Sequence, residues 1–93
     1  MNSPFIQNIR KDIDDIDAQL LELLARRMQH AVTIGTYKKE RGLPVVQGNR
    51  WEAILKEAMG QGAEKGLDPM FVKSIWNTIH DESIRIQEKI QNK

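Results

Sequence analysis

The 93-residue sequence contains no cysteine, which excludes disulfide frameworks, zinc–thiolate sites and thiol nucleophiles. It has two histidines, His30 and His80, and neither has neighbours at a metal-site spacing. No apolar run approaches the roughly 20 residues that a membrane span needs. The first four residues do not begin a basic-then-apolar signal peptide. These absences predict a soluble, cytoplasmic protein with no membrane partner.

An excess of charge of one sign is also missing. Lys and Arg number 14 against 13 Asp and Glu, for a net charge of +1. A dedicated nucleic-acid binder would show a strong basic excess or a clustered stripe, so no nucleic-acid partner is expected. Hydrophobic residues make up 40% and charged residues 29%, which is ordinary for a globular chain. The length predicts a single small helical domain over residues 1–93.

Apolar periodicity predicts a long first helix from about Pro4 to Arg41, with Ser3 as its N-cap and the break at Gly42. Its stripe repeats at alternating spacings of three and four and consists of Ile6, Ile9, Ile13, Ile16, Leu20 and Leu23. The helix would be roughly 57 Å long, whereas a compact domain of this size is only about 30 Å across. A second copy of the chain alongside would cover the part of the helix that extends beyond the domain, which predicts an intertwined homodimer. The alternative is a bend or break near Gly35.

Two further helices follow, and no strand pattern is present. The second helix is predicted to begin at Arg50, where Asn49 and Glu52 have the spacing of a capping box, and to end in the low sixties. The third begins after the Asp68-Pro69 cap and continues nearly to the C-terminus. The predicted fold class is therefore all-α, with one very long, one short and one medium helix.

Cations on or beside the apolar stripe are the informative charges. The heptad that starts at Ile6 places Arg27 at a core position, and Arg10 and Lys38 lie one position beyond core positions. A buried cation is costly unless it is paired. Asp17 is a candidate partner for Arg10. For Arg27 and Lys38, an anionic ligand and a structural ion pair are both open.

Helix geometry brings two of these cations within reach of one small molecule. Arg27 and Lys38 are almost three whole turns apart on one face, with Cα atoms roughly 16 Å apart. Arg10 is roughly 25 Å before Arg27 and cannot reach the same ligand within one chain. In an antiparallel dimer, Arg10 of the partner subunit would approach it. Such a site would expect a small dianion.

The third helix offers polar groups but no catalytic set of acids, bases or nucleophiles. His80, Ser83 and Gln87 share a strip at spacings of three and four. Gln87 is either a hydrogen-bond donor to an uncharged oxygen or a solvated surface residue. Because no nucleophile triad and no carboxylate pair stands out, the sequence favours positioning and fixed charge over proton transfer.

From Ile9 to Glu88 the sequence closely resembles the all-helical class of chorismate mutases. The fragments that carry the resemblance, in order, are IRKDIDDID (9–17), LLELLARR (20–27), IGTYK (34–38), Pro44-Val45, Arg50, Gly66-Leu67-Asp68, Asp81-Glu82-Ser83 and Gln87. The resemblance implies an intertwined three-helix homodimer with two active sites and no cofactor. It also implies the rearrangement of chorismate to prephenate, in phenylalanine and tyrosine biosynthesis, without acid–base or covalent catalysis.

Site roles follow from the same resemblance. Arg27 and Arg10 of the partner subunit match the clamps on the two substrate carboxylates. Lys38 and Gln87 match the donors to the ether oxygen. Ser83 matches a minor carboxylate contact, and Arg50 a supporting cation.

The loop before the second helix departs from the family pattern. Many members carry an acidic residue at the position of Gln47 and a glutamate at the position of Trp51, where it helps to hold the substrate's ring hydroxyl. Here the nearest glutamate is Glu52. Glu52 either takes over that contact or serves only in the capping box.

Two other functions compete with the mutase. Isochorismate-pyruvate lyase resembles this family in fold and cationic site, and the Arg26-Arg27-Met28 run and the altered 47–51 loop suit it. A regulatory, non-catalytic helical dimer is the other. The segment 43–51 resembles mutase domains fused to 3-deoxyheptulosonate 7-phosphate synthase, so such a synthase is a candidate fused or associated partner.

Overall fold

The computed structural model describes residues 3–46 and 48–93, and within these ranges it has three α-helices and no strand. Helix α1 spans Pro4–Glu40, α2 spans Arg50–Glu64 and α3 spans Pro69–Gln91. The predicted all-α class is confirmed, as are the three predicted helices. Among the helices of these ranges, none is long and apolar enough to cross a membrane.

Local chemistry explains two of the helix starts. The Ile6 N–H donates to Ser3 Oγ at 3.2 Å, and the Met70 N–H donates to Asp68 Oδ1 at 3.2 Å. Both side chains thereby satisfy backbone donors that the first turn of a helix leaves without an intrahelical acceptor. The predicted caps at Ser3 and Asp68 are confirmed.

The predicted capping box at the start of α2 is wrong. Within the described residues Asn49 makes no side-chain cap hydrogen bond, and its backbone has φ −98° and ψ 17°. An N-cap side chain reaches the first amides when its own residue is extended, which Asn49 is not. Glu52 lies exposed in the first turn of α2.

The chain divides into two compact units, and the first ends at His30. Its described residues, 3–30, form one helical stretch in which no residue is buried. The apolar stripe is exposed along its whole length, from 41% at Ile6 to 55% at Leu23. A single helix has no second element to cover such a face, so this unit has no core of its own.

The second unit, Ala31–Lys93, contains the end of α1 together with α2 and α3. Val72 is 2% exposed and Ala31 4% exposed. Gly62 allows α2 to approach α3 closely, because a Cβ at residue 62 would lie 2.7 Å from Val72 Cγ2. α1 continues through Gly35 without interruption, so the alternative of a break there is wrong.

Candidate active site

The centre of the candidate site is a contact between Lys38 and Gln87. Lys38 Nζ donates to Gln87 Oε1 at 2.9 Å and to the Val45 carbonyl at 2.5 Å. Lys38 is half-buried near the end of α1, and Gln87 is 5% exposed on α3. The interpretation of Gln87 as a solvated surface residue is therefore wrong, since burial has made it part of a polar cluster.

A glycine makes this contact possible. Gly35 is buried one turn before Lys38 on α1, where a Cβ would meet Gln87 Cγ at 3.1 Å and Ile90 Cδ1 at 3.2 Å. The small residue lets α1 and α3 approach closely enough for Lys38 to reach the buried amide. In the sequence, Gly35 indicates only a possible break in α1. Its position one turn before Lys38 is the signal that points to close packing at this contact.

The predicted strip on α3 is ordered by hydrogen bonding and stacking. Gln87 Nε2 donates to Ser83 Oγ at 3.1 Å, four residues earlier. One turn before Ser83, the His80 ring stacks on Trp51 with centroids 4.0 Å apart and planes 11° apart. Lys38, Gln87 and Ser83 thus form one connected polar chain, with the Trp51–His80 stack farther along the same strip.

The electrostatics of the site centre on Lys38. Its burial lowers the pKa of the Lys38 ammonium, and the positive charge of Arg50 lowers that pKa further. Within the described residues neither Lys38 nor Arg27 has a carboxylate within ion-pairing distance. Both interpretations of these cations, an anionic ligand and a structural ion pair, therefore stay predictions.

The remaining predicted site residues lie outside the chain of hydrogen bonds formed by Lys38, Gln87 and Ser83. Arg50, the first residue of α2, is exposed. Arg10 is exposed and Arg27 half-buried, and both belong to the part of α1 in the first unit. Glu52 makes no hydrogen bond or ion pair within the described ranges, and the predicted site residue Gln47 lies outside them.

The chemistry available at this site is hydrogen-bond donation and positive charge. Within residues 3–46 and 48–93 no group of three or more His, Asp or Glu side chains is arranged to hold a metal ion. An ammonium supplies three N–H donors and an amide NH₂ group supplies two. Lys38 has protein acceptors for two of its donors and Gln87 for one, so each has a donor to offer an oxygen-bearing ligand.

Fold and site together define an all-helical protein with a cationic, hydrogen-bonding centre between helices. The family model described as chorismate mutase type II matches residues 9–88 of this chain. The chain belongs to the chorismate mutase type II family and is an enzyme of that family.

Individual relatives differ in name and in length. A 4-amino-4-deoxychorismate mutase of Streptomyces venezuelae is 28% identical over 88 residues, which are 95% of this chain and 85% of the relative. The 4-amino-4-deoxychorismate mutase of Streptomyces pristinaespiralis is 30% identical over 81 residues, which are 87% of this chain and 63% of the relative. A bifunctional chorismate mutase/prephenate dehydratase of Buchnera aphidicola is 26% identical over 86 residues, 92% of this chain but 22% of the relative. The chain therefore spans nearly two thirds of the second relative and about a fifth of the third.

Proposed function

We propose that this enzyme rearranges chorismate to prephenate by preorganised charge and hydrogen bonding at the Lys38 site. The reaction is intramolecular: one C–C bond forms as the ether C–O bond breaks, so no group outside the substrate gains or loses an electron pair or a proton. The observation that carries the proposal is the contact between Lys38 and Gln87. A half-buried ammonium beside a buried amide suits an oxygen on which negative charge develops.

Lys38 and Gln87 are proposed to donate to the ether oxygen. The third N–H of Lys38 and the second N–H of the Gln87 amide are the donors assigned to it. Ser83 supports this role because it accepts the other amide N–H at 3.1 Å and so orients the Gln87 side chain. Donors held in place before the reaction need no reorganisation as the charge appears, and they are typically worth several kcal/mol.

Arginines are proposed to hold the two substrate carboxylates. Arg27 is one clamp and Arg10 of the partner subunit is the other, since a planar guanidinium can bind a carboxylate through two parallel hydrogen bonds. Ser83 and Arg50 are proposed as supporting carboxylate contacts. These clamps would keep the substrate folded with its reacting carbons close together.

The ring substituent is proposed to lie beside the segment from Gln47 to Glu52. Glu52 is exposed and available to a ligand, and a contact with the substrate's ring hydroxyl is the role left to it now that the capping box is absent. Gln47 is proposed to contribute an amide to the same hydroxyl.

A homodimer is part of the proposal. The exposed stripe from Ile6 to Leu23 has heptad spacing, and a second copy of the helix is the occupant that this spacing fits. An intertwined pair would make each chain one domain over residues 1–93 and would bring Arg10 to the partner's site. Cytoplasmic location, phenylalanine and tyrosine biosynthesis, and a fused or associated 3-deoxyheptulosonate 7-phosphate synthase complete the proposal. Fusion of related sequences to a second enzyme, as in the bifunctional Buchnera aphidicola protein, supports the last point.

A second candidate substrate is 4-amino-4-deoxychorismate. Two relatives from Streptomyces are named as mutases of this compound. Its amine replaces the ring hydroxyl, and the chain departs from the family pattern at Gln47 and Trp51, the positions expected to meet that group. The reacting ether and the carboxylates are the same in both compounds, so the Lys38 site serves either substrate.

The test is to incubate the purified protein separately with chorismate, 4-amino-4-deoxychorismate and isochorismate and to identify the products. Prephenate formation from chorismate that is lost in Lys38→Ala and Arg27→Ala supports the proposal. The matched control is Lys39→Ala, because Lys39 is the next residue on α1 and is exposed, with its ammonium on the Lys93 carbonyl. Salicylate and pyruvate from isochorismate as the main products would establish the lyase instead. A folded dimer with no turnover would favour the regulatory role.

A further inference from the structure

Trp51 joins the first turn of α2 to α3 by two different contacts. Its indole ring stacks on the imidazole of His80 at 4.0 Å between centroids. Its Nε1 donates to Asn77 Oδ1 at 3.3 Å. The two partners are three residues apart on α3, so they lie on one face of that helix.

Other features leave this end of α2 weakly held. Within the described residues the Asn49 side chain makes no cap hydrogen bond. Gly48 has a left-handed backbone with φ 63°, and as a glycine it has no side chain that could pack against α3. The Trp51 contacts therefore supply side-chain packing and hydrogen bonding that fix where α2 begins.

The residue that this arrangement positions is Arg50. Arg50 precedes Trp51 directly, is exposed, and acts electrostatically on Lys38. His80 lies one turn before Ser83 on the α3 strip that carries Gln87. A stack on His80 therefore sets the position of the Arg50 backbone relative to the polar chain of the site.

We propose that Trp51 is a positioning residue, whose contacts with His80 and Asn77 hold the Arg50 guanidinium beside the Lys38 site to meet an anionic group of the substrate. The inference rests on the proposed function, since that function gives Arg50 a substrate to bind. It assigns Trp51 a role that no carboxylate at residue 51 could fill. A carboxylate has neither the ring face for His80 nor, when ionised, an N–H or O–H donor for Asn77.

A double-mutant cycle tests the proposal with chorismate as substrate. Trp51→Leu is expected to raise KM about tenfold and to change kcat less than threefold, because Arg50 contributes to binding. In the Arg50→Ala background the same substitution is expected to have no further effect on KM. Trp51→Phe retains a ring for the stack, so its KM is expected to lie close to that of the wild type. Asn77→Leu removes only the hydrogen bond to Trp51, so it is expected to cause the smaller part of the rise in KM.

Trp76→Phe is the matched control. Trp76 is a half-buried tryptophan of α3 that lines a cleft with Ala58 and Gly62 of α2, so it shares the packing between these helices but is not a sequence neighbour of Arg50. It is expected to leave KM unchanged. Multiplicative effects of Trp51→Leu and Arg50→Ala on KM, or a loss of thermal stability in Trp51→Leu with KM unchanged, would overturn the proposal.

Failure of the proposed function would give a different result from failure of the positioning role. In that case the wild-type protein turns over no chorismate, whatever the residue at position 51. Amide hydrogen exchange then gives the readout for Trp51, because exchange at residues 50–54 is expected to accelerate in Trp51→Leu but not in Trp76→Phe. Equal exchange in the two variants would overturn the positioning role.

Discussion

Gly35 on α1 lies so close to Gln87 on α3 that a Cβ at residue 35 would be 3.2 Å from the Gln87 Cα. This approach determines how far Lys38, one turn later on α1, must reach to bond the buried amide at 2.9 Å. The central contact of the candidate site therefore depends on a residue that has no functional group.

The first prediction concerns Gly35→Ala. The added methyl group must displace the Gln87 backbone or side chain by a few tenths of an ångström, which moves the amide away from Lys38. We expect kcat/KM to fall about tenfold, because misplaced catalytic donors lose transition-state stabilisation. The free energy of unfolding is expected to fall by at most about 2 kcal/mol, since overpacking costs about 1–3 kcal/mol and alanine gains about 1 kcal/mol in helix propensity. Steady-state kinetics and thermal unfolding measure the two effects.

Gly60→Ala separates helix propensity from close approach. Gly60 lies inside α2, and a Cβ there would have nothing within 4 Å. This variant is expected to gain up to about 1 kcal/mol in unfolding free energy with kcat/KM unchanged. An equal effect of both substitutions on activity would contradict the role assigned to Gly35.

The second prediction concerns Gln87→Leu. Leucine keeps much of the side-chain volume but removes the acceptor for Lys38 and the proposed donor to the ether oxygen. We expect kcat to fall about a hundredfold, in line with the loss of one preorganised donor. Gln91→Leu is the control, because Gln91 is one turn later on α3 and donates to the Leu43 carbonyl at 3.0 Å. It is expected to lose about 1 kcal/mol of stability and to keep its kcat. Similar kcat values for the two variants would remove Gln87 from the mechanism.

The third prediction is an alkaline limit on activity. Lys38 carries its positive charge and its third N–H donor only while protonated, so kcat/KM is expected to fall as pH rises through the Lys38 pKa. Burial and the charge of Arg50 both lower that pKa from its ordinary value of 10.5, so the fall is expected below pH 10.5. Arg50→Ala removes one of the two causes of the lowered Lys38 pKa. The fall in kcat/KM of this variant is therefore expected at higher pH than that of the wild type. A pH profile of kcat/KM measures both, with Lys39→Ala as the control that leaves the fall at the same pH. If Arg50→Ala does not shift the fall, a different group controls it.

Much of the fold follows from local patterns in the sequence. The 3.6-residue periodicity and the Ser3 and Asp68 caps predicted where α1 and α3 begin, because these signals act within one helical turn. The cap at Asn49 was predicted from spacing alone and is wrong, since spacing does not report the backbone conformation, which is not extended at Asn49. Spacing did not indicate that this end of α2 is joined to α3 through Trp51.

The candidate site was predictable only in part, because its residues are brought together by the packing of different helices. Lys38, Ser83 and Gln87 are distant in sequence, and the resemblance to a known family brought them together before any geometry was available. The structure adds their contacts and the need for glycine at residue 35, which is a property of two packed helices and not of either helix alone. No contact among the described residues tests the proposed roles of Arg10 and Arg27, so these roles stay predictions.

The last prediction tests whether two chains share each site. Arg10→Ala and Arg27→Ala are each expected to reduce turnover strongly as pure proteins, because each removes one proposed carboxylate clamp from both sites of a homodimer. If Arg10 serves the partner's site, a heterodimer of the two variants has one site with both arginines intact and one with neither. Unfolding and refolding an equal mixture makes about half of the dimers heterodimeric, so about a quarter of wild-type activity is expected to return. Lys39→Ala mixed with Arg27→Ala is the control for refolding, because about half of wild-type activity is expected whether or not the subunits exchange. Native mass spectrometry with one variant isotopically labelled measures how much heterodimer has formed. Only the crossed arrangement restores activity from two inactive variants. A mixture of Arg10→Ala and Arg27→Ala that stays as inactive as its components, although the labelled heterodimer has formed, would place both arginines of a site on one chain.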